Sequence, residues 1–144
     1  MKEKALNLLG LMRKANAVRI GETDTGAAAR SGSAKLLVLA SDASDNAKSR
    51  AKGFVYGKGI PLITVPFLKE EISAYVGKSG CSMAAVCDLG FADSFIKLLQ
   101  LISPGMYNDT AQIISAELIR EKQCRLERSA HEKNKRIGKR RNNA

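Results

Sequence analysis

The stretch with the greatest chemical capacity is Gly21-Glu22-Thr23-Asp24-Thr25-Gly26, directly ahead of the helix-forming run Ala27-Ala28-Ala29-Arg30. A glycine is free to take φ > 0 at such a turn, and the Thr and Asp side chains are of the kind that cap a helix start. A helix N-terminus also offers unpaired N–H donors and a partial positive charge. The chemistry on offer is therefore hydrogen bonding and anion binding. A second candidate is the loop Gly77-Lys78-Ser79-Gly80-Cys81-Ser82, whose cation and small residues suit phosphate contact and base stacking. Lys35, at the start of an apolar run, is a third possible phosphate contact.

Bond-making chemistry is not expected. Gly77-Lys78-Ser79 has the ending of a phosphate-binding P-loop, but that motif requires Gly where Ile72 stands. His131 has no Cys or carboxylate at ligand spacing, and Cys81 and Cys87 read as packing residues. Asp42, Asp45 and Asp88 each fall where a cap or turn is needed. Tyr56, Tyr75 and Tyr107 make no stacking platform at 5% aromatic content. With no nucleophile–base pair, metal cluster or cofactor motif, the expectation is a non-catalytic protein without cofactor, metal or small-molecule substrate.

Charge indicates the partner class. The 144 residues carry 24 Lys and Arg against 14 Asp and Glu, a net +10. Ten of those cations and only three acids lie after Ile119. Such a balance favours polyanions. The run Lys133, Lys135, Arg136, Lys139, Arg140, Arg141 has no acid within it, so it would attract any RNA through counterion release. Three unpaired cysteines and a first helix too short and too interrupted to be a signal or membrane span suggest a cytoplasmic setting.

The elements that must hold these residues alternate. Leu6, Leu8, Leu9, Leu11 and Met12 mark a first helix, and Val18-Arg19-Ile20 a short edge strand. Leu36 to Ala40 is a strand apolar on both faces, which calls for helices on both sides. A helix over 43–54, a proline-bracketed strand over 61–66, a helix over 69–76, a strand over 83–87 and an amphipathic helix over 91–102 follow. The pattern predicts an α/β layered sandwich. Ser103-Pro104-Gly105 would divide a domain over 1–103 from a basic extension over 104–144, helical over 110–132 and disordered from Lys133.

The order of a first helix, GETDTGAAARSGSAKLLVLASDAS, GIPLITVP, LKEEISAYVGKSG and MAAVCD resembles the ribosomal L-seven-Ae and L-thirty-e family of kink-turn RNA binders, in particular its small bacterial relatives. The likeness spans about residues 4–100. It rests on Gly21, Ala34-Lys35-Leu36, Ala40, Asp42-Ala43-Ser44, Gly59-Ile60-Pro61, Val65-Pro66, Gly77 and Ala84-Ala85-Val86 taken together.

That resemblance implies a three-layer α-β-α sandwich around a four-stranded mixed sheet, and binding to sharply bent RNA, ribosomal or kink-turn-like, with the ribosome as a further partner. The family's Gly-x-Asn-Glu-x-x-Lys motif falls on Gly21, Thr23, Asp24 and Ala27, so three of its four positions differ and a cation is absent. One lost contact of that kind costs about 1–3 kcal/mol. The family's second contact, a loop against a flipped-out base, falls on Lys78 to Met83. The expected RNA contacts are thus Gly21, Glu22, Thr23, Asp24, Thr25, Ala27, Arg30, Lys35, Lys78, Ser79, Gly80, Cys81 and Ser82. A protein-interaction module of the same fold is the alternative.

Overall fold

The computed structural model describes residues 2–79 and 82–142, with side chains described as far as residue 128. Its elements are α1 (Lys2–Lys14), β1 (Val18–Ile20), α2 (Glu22–Ser31), β2 (Leu36–Leu39), α3 (Asp45–Val55), β3 (Leu62–Thr64), α4 (Lys69–Val76), β4 (Met83–Val86), α5 (Leu89–Ile102) and α6 (Asn108–Asn142). The four strands form one mixed sheet in the order β1-β4-β2-β3. β4 runs antiparallel to both neighbours, while β2 and β3 are parallel. β1, β2 and β3 therefore all point the same way.

Both faces of the sheet are covered because both faces of its central strands are apolar. Leu36, Val38 and Ala40 point with Ala84 and Val86 into a core shared with Leu6, Leu9 and Met12 of α1, Ile72 and Val76 of α4, and Phe95, Ile96 and Leu99 of α5. The alternate residues Leu37, Leu39, Met83 and Ala85 face Ala28 of α2 and Ala47 and Ala51 of α3. The result is an α-β-α sandwich. Alanines on α2 and α3 let these helices lie close to the sheet, and close approach recurs between α1 and α4. A Cβ on Gly10 would lie 2.8 Å from the Tyr75 carbonyl oxygen.

The chain turns at Ser103-Pro104-Gly105, yet the first turns of α6 return to the main core. Tyr107 and Ile114 are buried there, and the Tyr107 hydroxyl donates to the Thr64 carbonyl at 2.9 Å. The backbone is helical past Lys133 to Asn142, beyond the point where the charge run suggests disorder. Lys, Arg, Glu and Gln are good helix formers, and Gly138 is the one strong breaker in that stretch.

Two outcomes follow. Gly10→Ala forces two helix backbones apart and should cost about 1–3 kcal/mol in urea unfolding. Burial raises the Tyr107 phenol above its ordinary range. The neutral hydroxyl is thus favoured in the folded state, so its contribution is complete below about pH 10 and is lost as pH rises further. Tyr107→Phe should begin about 1 kcal/mol less stable, and its deficit against the wild type should shrink in unfolding curves taken above about pH 10.

Candidate functional site

The shared direction of β1, β2 and β3 delivers the chain into α2, α3 and α4 at one end of the sheet. Loops beyond the carboxyl ends of strands are where open α/β sheets meet their ligands. Three helix N-termini gather there, and two are closed by the chain itself. Ser44 Oγ accepts from the Ala47 N–H at 3.1 Å at the start of α3. At α4, Asp42 Oδ1 accepts from the Lys69 N–H at 2.9 Å and Glu71 Oε1 from the Leu68 N–H at 3.1 Å. A hydrogen bond from Lys2, then that from Leu68, holds the Glu71 carboxyl below its usual range.

The start of α2 is different. Its cap is Gly21, at φ 94° and ψ 163°, which brings no side chain. Among the described residues no side chain caps this helix. The expectation that Thr23, Asp24 or Thr25 caps it is therefore corrected: they lie inside the first turns, past the position from which a cap can reach back. Thr23 and Asp24 are exposed, and Thr25 is buried. Lys78 passes beside Gly21, and a Cβ built there would lie in ordinary contact with its Nζ at 3.5 Å.

Lys78 joins the two candidate regions. Its Nζ donates to the Ile20 carbonyl at 3.0 Å and stands 3.8 Å from Asp24 Oδ2. Arg13 secures the same corner by donating to the Val76 carbonyl at the end of α4. Arg13, Asn16, Arg19, Asp24 and Lys78 line an open hollow of ≈ 400 Å³ beside the tip. Its three cations face a single acid. Glu22 is turned the other way, paired with Arg50 of α3.

The structure thus brings Gly21, Thr23, Asp24 and Lys78 together, with Ser79 exposed on the adjoining loop and Ser82 half-buried where that loop enters β4. Ala27 is exposed one turn further along α2. Arg30 lies in the last turn of α2, and Lys35 precedes β2 at the opposite end of the sheet, roughly 16 Å of strand from Ala40. Gly80 and Cys81 lie outside the described residues, as do the side chains of His131, Lys133, Lys135, Arg136, Lys139, Arg140 and Arg141.

Arg13, Asn16 and Arg19 were not legible as site residues. The available signal was Asn16, a residue tolerant of the left-handed region, which it occupies at φ 58° just after α1. From there its side chain and carbonyl accept from Arg19 at 2.8 and 3.1 Å. Among the described residues there is no cluster able to hold a metal ion, and no helix is long and apolar enough to cross a membrane.

An α-β-α sandwich with one open, glycine-started helix tip beside a cationic loop defines a small α/β domain. The chain belongs to the ribosomal protein L7Ae/L30e/S12e/Gadd45 family, whose model matches residues 3–96. It is 32% identical over 99 residues to the RNA-binding protein YlxQ of Enterococcus faecium, covering 69% of this chain and 94% of that one. Among solved structures it is similar to a protein of unknown function from Bacillus halodurans C, with 28% identity, a TM-score of 0.61, and coverage of 67% of this chain and 97% of the other. The 15.5kD RNA binding protein of Giardia lamblia shares the fold at 16% identity, with a TM-score of 0.53 over 67% of this chain and 84% of its own.

Thr25 Oγ1 is buried with no hydrogen-bond partner among the described residues. Replacing that hydroxyl by a methyl removes an unpaired polar group, so Thr25→Val should leave stability unchanged or raise it by up to about 1–2 kcal/mol. Thermal unfolding checks this, and a loss of stability would reveal a partner for that hydroxyl.

Proposed function

We propose that this protein binds structured RNA, with the tip of α2 entering a groove opened by a sharp bend and the loop after α4 meeting the neighbouring strand. The observation that carries the reading is the open N-terminus of α2, left uncapped while α3 and α4 beside it are closed. Its amide donors suit phosphate or base acceptors, and Asp24 suits an amino donor on a base edge. An undistorted A-form major groove is too narrow for a helix end, so the substrate must be bent or internally looped. A kink-turn-like or ribosomal RNA is the finer form of this proposal. The names carried by the Enterococcus and Giardia proteins support the partner class.

The absent lysine at Ala27 need not abolish the interaction. Lys78 reaches the tip from the opposite side and brings a cation within 3.8 Å of Asp24. It offsets the carboxylate that would otherwise repel the phosphate chain. Binding needs no cofactor or catalytic group, and the cations after Lys133 would add attraction that is indifferent to sequence.

Lys78→Gln should weaken binding of a kink-turn hairpin about tenfold at fixed salt. Lys97→Gln, on the remote face of α5, should stay within about twofold by the same measure. Deleting residues 133–144 should weaken all RNAs and flatten the salt slope. Filter binding of bent and straight RNAs tests each point, and unchanged hairpin binding by Lys78→Gln would overturn the assignment of the tip.

A further inference from the structure

The end of the sheet opposite the α2 tip carries its own basic trough. Lys35, just ahead of β2, and Lys58, in the turn ahead of β3, border a hollow of ≈ 180 Å³ with Glu117 of α6. Lys35 and Glu117 also border a second hollow of ≈ 510 Å³, which continues along α6 past Arg120, Arg125 and Arg128. The two share a wall and so form one path. Glu117, Glu121, Cys124 and Arg128 recur every three or four residues, which keeps one face of α6 towards it over about 16 Å.

Arg125 is paired with Glu121. Lys35, Lys58, Arg120 and Arg128 carry no ion pair among the described residues. Among the described residues that line the two hollows the acids are Glu117 and Glu121, and Glu121 is taken up by Arg125. The two linings contain no aromatic residue and no methionine. A protein-binding patch would be expected to present such anchors, whereas a row of spaced cations matches a phosphodiester backbone.

We propose that this trough is a second RNA surface, which takes the phosphate backbone of a duplex and lets one molecule hold two RNA segments at once. The inference extends the RNA reading above to α6, which lies beyond the 3–96 family match, and to the far end of the sheet. Charge, not sequence, would govern it.

The test uses the full chain, fluorescence anisotropy and a straight 16-base-pair RNA duplex across a salt series. Lys35→Gln/Arg120→Gln/Arg128→Gln should lower duplex affinity at least about tenfold and reduce the log–log salt slope by about 3, near one for each cation removed. All three side chains reach solvent, so thermal melting should be unchanged. One equivalent of unlabelled kink-turn hairpin, enough to fill the α2 tip alone, should leave the labelled duplex bound to the wild type.

Wild-type-like duplex binding by the triple variant would overturn the proposal, and so would full displacement of the duplex by that single equivalent of hairpin. Tighter capture of a poly-glutamate peptide than of the duplex, dependent on the same residues, would assign the surface to an acidic protein instead. Failure of Lys78→Gln to weaken the hairpin would sink the α2 reading alone and leave the duplex result standing.

Discussion

The backbone conformation at Gly21 is the constraint on which the rest of the site depends. At φ 94° the chain leaves edge strand β1 and enters α2 within one residue, which only glycine does without strain. The same residue brings no side chain, so none of its own atoms caps the amides behind it. A larger residue would strain the turn. The geometry of the site and its accessibility thus have one cause.

The sheet makes that turn reproducible. Val18 and Ile20 are pinned opposite Val86 and Ala84 of β4, and the Gly21 N–H donates to the Met83 carbonyl at 3.1 Å. β4 can sit between helices on both faces because Ala84 and Ala85 are small. Polar contacts then join the helices to one another, Glu22 to Arg50 between α2 and α3 and Lys2 to Glu71 between α1 and α4.

Much of this was legible in the sequence. The double-sided apolar run at Leu36 announced a covered strand, and Lys69–Val76 matched its helix residue for residue, with Gly77 opening the loop that follows. The site was harder to read, because it is assembled by pairing rather than by proximity along the chain. Lys78 reaches Ile20 across 58 residues, and Arg13 reaches Val76 across 63. Composition says nothing about such meetings. The capping expectation for Thr23, Asp24 and Thr25 failed for a related reason: residue types suited to a cap were present, but the turn began one glycine earlier. Asp42 did cap a helix, yet it was α4, a helix 27 residues away.

Family membership and geometry bear on different questions. The match over residues 3–96 accounts for the sandwich, while the proposed recognition draws on this chain's own arrangement of Gly21, Asp24 and Lys78. The most direct measurement is a ¹H–¹⁵N titration of the full chain with a kink-turn hairpin. The account requires the backbone amides of Glu22, Thr23 and Asp24 to show the largest shifts, with Lys78 and Ser79 following. Shifts centred on α5 or α6, with those three amides unmoved at saturation, would contradict it.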